Sequence, residues 1–429
     1  MIGSPLLIAE KARERLRAAV RTLRGEQSPE GLLVHTGDIP DPADLVITAC
    51  EVNEAHGTGT LIRRMFTDWS SIVSVRTHNF YDGGQNFGAA AFCLPLASGS
   101  RVEVSSTVQI YMRGAKVRRA LCIPYLPGEA IVSLALKELH GMPLCTYVMD
   151  DKNVAAEGIS DELMEELLAR SDLRLVIGPE MRDAYEKKYG MKFWVVPPLV
   201  SEEVIRTSLA PVPAEGEPRR GVLLGNIWGQ RWLDLLRRTF RGTGQEVDWY
   251  CNIKDPKMLN FDRVEMEQDG IRLMDPVPES ELPETLGRYS YAVIPTDPLD
   301  GASPAAVEAI ARFSLPSRIP TLMVTSQLPM LVVGNAATSA AGFVERFQLG
   351  EVVPWEPHKV LSAIQRLLNP LTQRQIRERA LALGPSFSAR NSGDWLWRSL
   401  EIGAPCDMRY EMLLPPISEE LAGAGTGAQ

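Results

Sequence analysis

The chain has 429 residues, of which 45% are hydrophobic and 23% are charged, and its formal net charge is −9. This length predicts two or three domains, and the composition is typical of a globular protein. The acidic balance excludes a general nucleic-acid binder, because neutralising phosphates requires a basic surface. It leaves room for a local basic pocket that takes one small anionic ligand.

The cysteines and the N-terminal sequence indicate the cellular compartment in which the protein is expected. Six cysteines are scattered, with no CxxC pair and no Cys/His cluster. A zinc site or a disulfide framework is therefore not expected, and reduced thiols favour a cytoplasmic protein. The N-terminus has only a short apolar patch before its charges begin, which predicts neither a signal peptide nor a membrane span. We expect at most a peripheral contact with a membrane.

The first half of the chain alternates apolar runs with helical patterns. An amphipathic helix is predicted at 5–24, and further helices at 57–69, 128–141, 161–171 and 179–190. Strands are predicted at 31–37, 44–52, 72–80, 101–112, 143–151, 173–178 and 193–198, with another apolar run at 118–125.

A linker is predicted at 201–220, where three prolines and several acids interrupt the pattern. A second series follows, with strands at 221–226 and 246–252, another that begins at Ile271, and others at 291–296, 329–335 and 351–355. Its helices are predicted at 230–240, from near Glu279, and at 337–350, 357–369, 372–384 and 392–403. The predicted domains are 1–200 and 221–390, followed by a C-terminal helix at 391–404 able to cross back to the first domain and a partly disordered tail at 405–429.

The alternation of buried-type strands with helices predicts the fold class. It implies α/β domains with doubly wound, parallel sheets, one on each side of the linker. In such sheets, ligands bind beyond the carboxyl ends of the strands, so the turns there are the first places to look for a site.

The first such turn is His56 to Thr60, which lies between a predicted strand and a predicted helix. Gly57, Thr58 and Gly59 would let backbone N–H groups approach an anion at the helix N-terminus. A tight turn that needs glycine only for its geometry explains the pattern equally well. His56 is either a donor that satisfies this turn or a catalytic or sugar-binding group.

A second candidate is the acid pair Asp150 and Asp151 at the end of the strand that includes CTYVM. Carboxylates at this edge could bind sugar hydroxyls or act as a base. The alternative is capping of the next segment, for which Asp is a favoured residue. Function is favoured for Asp150 and capping for Asp151.

Two turns of the second half could bind phosphate. In the segment 313–324, Ser317, Arg318 and the amides at a helix start would form a pyrophosphate site, against the alternative of a capped helix with a surface arginine. In the segment 224–232, Gly225 and Asn226 form the turn after a strand, and Arg231 could reach phosphate from the next helix. Trp228 could pack on a sugar or a base, or simply on the protein.

Together these segments resemble the retaining GT-B glycosyltransferases of the sucrose-synthase-like and mannosyltransferase-like group. The most specific match is SLPSRIPTLMVTSQLPMLVVGN, because many members carry a Ser-x-Pro-Ser-Lys loop, a helix and then a strand. The resemblance covers most of residues 44–402. It implies two Rossmann-like domains that face each other across a cleft, the first on the acceptor side and the second on the nucleotide-sugar side.

The chain departs from this family at several positions. Many relatives carry two glutamates separated by seven residues that contact the donor, and these fall on Phe313 and Thr321 here. The histidine that often ends a strand of the first domain is replaced by Met149. The arginines and lysines that usually grip the diphosphate correspond only loosely to Arg231 and Arg318.

The leading functional interpretation is transfer of a sugar from a nucleoside-diphosphate sugar to a glycan, lipid or small-molecule acceptor, as in polysaccharide biosynthesis. The resemblance implies retention of configuration, with Asp150 or His56 orienting the acceptor or the reacting sugar. No Asp-x-Asp metal motif is evident, and neither a metal nor a cofactor is expected. The alternative is a catalytically silent protein that binds a glycan, a nucleotide or a partner subunit. A Rossmann oxidoreductase is disfavoured, because no strand is followed by GxGxxG and a suitably spaced acid.

Overall fold

A computed structural model describes residues 37–81, 87–94, 100–212, 219–251 and 259–417. The chain forms two compact units. The first contains the described residues up to Val176, with Tyr185–Trp194 and Asn391–Met408, and the second contains Ile177–Ala184, the described residues from Val195 to Arg390, and those from Arg409 onward. The chain therefore passes from one unit to the other several times.

The first unit is built on a seven-stranded sheet. Its strands are β1 (Ala43–Thr48), β2 (Ile72–Arg76), β3 (Ala90–Cys93), β4 (Val117–Cys122), β5 (Leu144–Val148), β6 (Leu173–Val176) and β7 (Trp194–Val195). The order is β3-β2-β1-β4-β5-β6-β7, and the pairs from β3 to β6 run parallel. The order reverses between β1 and β4, as in a Rossmann sheet, so their carboxyl ends border a ligand-binding position.

Helices surround this sheet. They are α1 (Gly57–Met65), α2 (Arg101–Met112), α3 (Pro127–His140), α4 (Asp161–Arg170) and the end of α5 (Pro179–Tyr189), which belongs to this unit from Tyr185 onward, with α14 (Ser392–Ile402) from the C-terminal part of the chain. The aromatic rings of Trp397 in α14 and Phe66 are 5.3 Å apart, and the guanidinium of Arg119 in β4 lies 4.6 Å from the Trp397 ring. The late helix α14 is thus part of the core of the first unit.

The second unit contains a six-stranded sheet. Its strands are β8 (Gly221–Leu224), β9 (Val247–Tyr250), β10 (Ile271–Met274), β11 (Tyr291–Pro295), β12 (Met330–Val333) and β13 (Gly350–Val353), in the order β10-β9-β8-β11-β12-β13. All neighbouring strands are parallel. The order again reverses at one point, here between β8 and β11.

The helices of the second unit connect these strands or follow the last of them. They are α6 (Gln230–Thr243), α7 (Arg263–Gln268), α8 (Leu282–Leu286), α9 (Ala305–Phe313), α10 (Arg318–Ser326), α11 (Ser339–Arg346), α12 (Pro357–Leu367), α13 (Pro370–Leu383) and α15 (Arg409–Leu413). Strands β1, β2, β5, β9, β11 and β12 are buried at every residue, which is why they appear as continuous apolar runs rather than alternating ones. The predicted α/β class with two doubly wound parallel sheets is confirmed.

One predicted strand is wrong. Residues 101–112 form the helix α2, with the side chain of Ser100 accepting the N–H of Glu103 at its N-cap. Its buried residues are Val104, Val108, Tyr111 and Met112, which follow helical spacing. The valines and the threonine of this segment favour strands, and they produced an alternation of apolar and polar residues that imitates a strand. Burial of one helical face outweighed that strand propensity.

Other predictions were incomplete or fall outside the described residues. Strand β3 and helices α7, α9 and α15 were not predicted. The predicted helix at 5–24 lies outside the described residues, as do the end of the tail and all of the strand at 31–37 except Gly37, which is not in a strand. The predicted domain limits and the cleft stay predictions. Within the described residues, no helix is both long enough and apolar enough to span a membrane.

Candidate functional site

The turn after β8 lies where the strand order of the second sheet reverses. Gly225 has φ +87°, a left-handed conformation that favours glycine. Its N–H donates to the carbonyl of Tyr250, and its own carbonyl accepts the indole N–H of Trp249, with both donor–acceptor distances 2.8 Å. The predicted diphosphate residues Gly225 and Asn226 therefore belong to a turn whose backbone is held in place from the next strand.

Arg318 anchors the same turn from α10. Its Nη1 donates to the carbonyl of Leu224 at 3.2 Å and to that of Asn226 at 2.9 Å. The side chain is buried, its Nε has no hydrogen-bond partner, and burial lowers its pKa to about 10. Ser317 forms the N-cap of α10 but makes no side-chain capping bond. The structure thus brings Ser317, Arg318, Gly225 and Asn226 together.

Arg231 lies in the first turn of α6 and is engaged differently from Arg318. Its Nη2 is 2.5 Å from a carboxylate oxygen of Asp300, and its Nη1 donates to the hydroxyl of Ser303 at 2.9 Å. The hydrogen bond to Asp300 raises the pKa of Arg231. A phosphate would have to compete with Asp300 for this guanidinium.

Asp297, just beyond β11, is a site residue that sequence reasoning missed. It is fully buried and accepts the indole N–H of Trp232, the hydroxyl of Ser303 and the N–H of Leu299. The signal was available, because an acid directly after a buried strand had already singled out Asp150. Asp297 orders the loop after β11 at the point where the sheet reverses.

Three carboxylates near this loop could offer ligands to a cation. Asp297, Asp300 and Glu308 each place an oxygen within 4.8 Å of the others. All three already accept hydrogen bonds from the protein, and Arg231 compensates the charge of Asp300. We therefore assign no metal to this group.

In the first unit, His56 caps α1. Its Nδ1 accepts the N–H of Gly59 at 3.3 Å, which places the ring proton on Nε2, where it donates to the carbonyl of Glu51 at 2.7 Å. The imidazole stacks on Tyr81 with ring centroids 4.9 Å apart, and burial lowers its pKa. Both ring nitrogens of His56 therefore have backbone partners, as in the turn-satisfying role.

The glycines and threonine after His56 have distinct positions. A Cβ atom at Gly59 would lie 2.2 Å from the carbonyl oxygen of Asn53, so glycine is required there by close packing. The hydroxyl of Thr58 hydrogen-bonds that of Tyr125, which follows β4. Gly57 is exposed at the start of α1. Thr58 thus joins the two loops at the point where the first sheet reverses.

Asp150 and Asp151 differ in environment although they are neighbours. Asp151 is fully buried and accepts the N–H groups of residues 153–156 and the hydroxyl of Tyr185. Asp150 is partly exposed and lies near Tyr125, whose pKa is raised by burial first and by Asp150 second. Asp151 caps the loop, as was favoured from the sequence, and Asp150 remains the carboxylate with access to solvent.

Two further carboxylates at this edge were missed. Glu51 is fully buried directly after β1 and accepts the N–H groups of Phe80 and Tyr81. Glu129 in α3 is buried, and burial raises its pKa, while it accepts the N–H groups of Tyr125 and Leu126. These acids hold the loops after β2 and β4.

No family model and no curated protein matches the chain. Solved structures do resemble it, and each comparison covers 84% of this chain. Anabaena Alr3699/HepE in complex with UDP is 10% identical over 100% of its own chain, with a TM-score of 0.58. The UDP-forming α,α-trehalose-phosphate synthase of Burkholderia xenovorans in complex with glucose-6-phosphate is 11% identical over 100%, with a TM-score of 0.59. The lipopolysaccharide outer core galactosyltransferase WaaB is 10% identical over 99%, with a TM-score of 0.54.

The chain has the GT-B fold. Identities of 10–11% make this a likeness of fold, and they carry no residue roles with them. The two Rossmann-like sheets and their strand orders agree with this fold. The expected resemblance to GT-B glycosyltransferases is confirmed at that level.

Phe313 and Thr321 stand where the resemblance implied two donor-binding glutamates. Phe313 is the last residue of α9. Thr321 is buried, and its hydroxyl donates to the carbonyl of Ser317 at 3.0 Å. Neither residue can supply a carboxylate, so a donor sugar bound near α10 would need other hydrogen-bonding groups.

Proposed function

We propose that the chain transfers a sugar from a nucleoside-diphosphate sugar, with UDP as the first nucleotide to test. The observation that carries this proposal is the environment of Arg318. Its guanidinium is buried, and within the described part of the chain no carboxylate pairs with it. A buried cation without a counter-ion is costly, and a bound anion would offset that cost.

The position of Arg318 on its helix adds to the cost of burying its charge. It occupies the first turn of α10, where the helix dipole is positive and disfavours a cation. Arg377, which is also buried, donates to the carbonyl of Ser326 at the opposite, negative end of α10. The negative end of the helix dipole therefore offsets the charge of Arg377, whereas the positive end does not offset the charge of Arg318.

A diphosphate would compensate Arg318 and the helix dipole together. Its oxygens would accept from the guanidinium and from the backbone N–H of Arg318 at the start of α10, because the N–H of Ile319 already donates to the carbonyl of Pro316 and Pro320 has no N–H. With a pKa of about 10, Arg318 stays protonated at neutral pH. These donors would stabilise the negative charge that develops on the leaving diphosphate as the glycosidic bond breaks.

The likeness to structures solved with UDP supports a uridine nucleotide as the first ligand to test. We further propose that transfer retains the anomeric configuration, uses no metal ion, and delivers the sugar to a glycan, lipid or small molecule. Asp150 is the proposed residue that orients the acceptor, because it is partly exposed just beyond β5, whereas Asp151 is fully buried. A cytoplasmic location stays part of the proposal.

Calorimetric titration with UDP, GDP, ADP and their glucose conjugates tests the donor site. We expect Arg318→Gln to weaken nucleotide binding at least tenfold, which corresponds to about 1.4 kcal/mol. Arg374→Gln is the surface control, because Arg374 is exposed and pairs with Glu378 in the next turn of its own helix. Arg377→Gln is the control for loss of a buried arginine, and we expect it to lower the melting temperature without selectively weakening binding.

A folded Arg318→Gln protein with unchanged nucleotide affinity would refute the site, and so would a wild-type chain that binds no nucleotide.

A second candidate function is suggested by Phe313 and Thr321, which replace the usual glutamates. It is nucleotide binding without catalysis. Transfer or hydrolysis from any nucleotide sugar in the panel would exclude it.

A further inference from the structure

The first turn of α6 carries a cation that the helix itself does not stabilise. Arg231 is the second residue of α6, and this turn contains no acid. The N-cap, Gly229, has no side chain to cap the first N–H groups of the helix. Because the N-terminal end of a helix dipole is positive, it favours an anion and disfavours a guanidinium. A negative charge from another part of the chain therefore stabilises this end of α6.

The carboxylate of Asp300 supplies that charge. One of its oxygens is 2.5 Å from the Nη2 of Arg231, and the other accepts the N–H of Ala302 at 3.2 Å. The hydrogen bond from Arg231 lowers the pKa of Asp300, so the carboxylate is ionised at neutral pH. The side chains of Arg231 and Asp300 are 32% and 49% exposed, and exposed ion pairs contribute little to stability. Another anion can therefore replace Asp300 in this contact.

Arg231 has a second anchor that does not depend on Asp300. Its Nη1 donates to the hydroxyl of Ser303 at 2.9 Å, and that hydroxyl donates to the buried carboxylate of Asp297. The two contacts use different nitrogens of the guanidinium, so loss of Asp300 frees Nη2 and leaves Nη1 bound. A guanidinium held at one nitrogen loses little conformational entropy when the other takes a new acceptor.

The backbone on both sides of Asp300 is left-handed. Leu299 has φ +54°, which is unfavourable for a residue with a branched side chain, and Gly301 has φ +77°. The N–H of Leu299 donates to Asp297 at 2.7 Å, and the N–H of Gly301 donates to Glu308 at 2.9 Å. The loop conformation that presents Asp300 is thus disfavoured at Leu299, which lowers the cost of releasing the carboxylate.

We propose that Asp300 is an internal competitor for the phosphates of the donor nucleotide. It pairs with Arg231 until a diphosphate takes its place at Nη2, and Ser303 holds the guanidinium in position during the exchange. The identity of the displacing anion rests on the proposed sugar transfer, whereas the competition between Asp300 and an anion for Arg231 does not.

Competition of this kind weakens binding of the diphosphate product as well as of the donor. As the product leaves, Asp300 returns to Arg231 and restores the ion pair, so the departing anion leaves no unpaired cation at Arg231. Product release limits the turnover of many enzymes, and a carboxylate that replaces the departing diphosphate speeds that step. Asp300 thus favours release from the proposed donor site.

Calorimetric titrations of UDP and of inorganic pyrophosphate into the full-length chain test the proposal. Asp300→Asn keeps an oxygen for the N–H of Ala302 but removes the charge that pairs with Arg231. We expect it to tighten binding of both ligands about fivefold, which corresponds to about 1 kcal/mol. In an Arg231→Gln background, the same change should alter affinity by less than about twofold, because the contested guanidinium is gone.

Glu308→Gln is the matched control for a general loss of negative charge. A carboxylate oxygen of Glu308 lies within 4.8 Å of one of Asp300, and glutamine keeps an acceptor for the N–H of Gly301. We expect the affinity of this variant for UDP and for pyrophosphate to stay within about twofold of the wild-type value.

Three results would overturn the inference while leaving the donor site intact. They are unchanged UDP affinity in Asp300→Asn, an equal gain in Glu308→Gln, and a gain from Asp300→Asn that persists in the Arg231→Gln background. The last two would indicate general repulsion of anions rather than competition for Arg231.

Failure of the donor site gives a different pattern. If Asp300→Asn tightens pyrophosphate binding only when Arg231 is present, but no variant binds UDP, the internal competitor stands and the nucleotide site is refuted. If no variant binds either ligand, both proposals are refuted.

Discussion

The indole N–H of Trp232 donates to the buried carboxylate of Asp297 over 2.7 Å. Trp232 is in the first turn of the helix after β8, and Asp297 follows β11. The bond therefore joins the helix after β8 to the loop after β11, on either side of the point where the second sheet reverses its strand order. It sets the local geometry of the edge at which ligands of such sheets bind.

Removing the Asp297 carboxylate should destabilise the second unit. Asp297→Ala leaves buried donors on Trp232 and Leu299 without an acceptor, which we expect to lower the free energy of unfolding by about 2–4 kcal/mol. Urea denaturation measures the change. Asp300→Ala is the neighbouring control, because Asp300 is exposed, and it should change stability little. Equal losses in the two variants would contradict the assigned role of Asp297.

Substitution of Asp150 should affect sugar transfer, whereas substitution of Asp151 should affect stability. Asp151→Ala removes the acceptor for several backbone N–H groups and should cost about 3 kcal/mol of unfolding free energy. Asp150→Asn keeps the size of a partly exposed side chain and should leave the melting temperature almost unchanged while lowering sugar transfer. Melting temperature and transfer rate are measured on both proteins. A folded Asp150→Asn protein with full activity would remove Asp150 from the acceptor site.

Neutral His56 should make stability depend on pH. Burial lowers its pKa, so between pH 6.5 and the folded pKa the unfolded chain binds more protons. The stabilisation is complete above pH 6.5 and is lost as the pH falls through the folded pKa. NMR titration should place the pKa of His56 below 6.5, and His56→Asn should reduce the loss of stability on acidification. His140 has a pKa shift in the same direction and accounts for part of the remainder.

Gly225 and Gly229 offer a test of the turn after β8. Both have positive φ, +87° and +113°, so alanine at either position should cost about 1–3 kcal/mol in backbone strain. Of the two, only Gly225 lies close to Arg318, because a Cβ atom added at Gly225 would be 3.8 Å from the Arg318 Cδ atom. We expect Gly225→Ala to weaken UDP binding and Gly229→Ala to leave it within twofold. Equal UDP affinities of the two variants in such titrations would argue against the turn as part of the donor site.

Much of the fold was predictable because its strands are buried on both faces. Runs such as CTYVM and YAVIP appear as continuous apolar segments, and turn residues or acids follow them. Segment 101–112 failed because β-branched residues on a helix imitate strand alternation when only propensity is considered. Helix α9 was not predicted, and the residues that it buries, Ala309 and Ala311, are small ones.

The contacts of the candidate site residues were only partly predictable. Acids that follow strands pointed to the carboxyl edges of the sheets, where a binding site stays a prediction, and Asp151 was favoured as a cap from residue type alone. The inward orientation of Arg318 and the pairing of Arg231 with Asp300 depend on contacts between segments distant in sequence. One sequence contains no record of such contacts, so the structure was needed to distinguish the buried guanidinium from the paired one.

Helix α14 belongs to the first unit although it lies near the end of the chain. During synthesis on a ribosome, the first sheet would emerge long before the helix that covers Phe66 and Arg119. Until translation passes Ile402, that surface lacks Trp397, and a nascent first unit would expose apolar area to chaperones or to other chains. Fragments that stop at the linker should consequently aggregate more readily than the full chain.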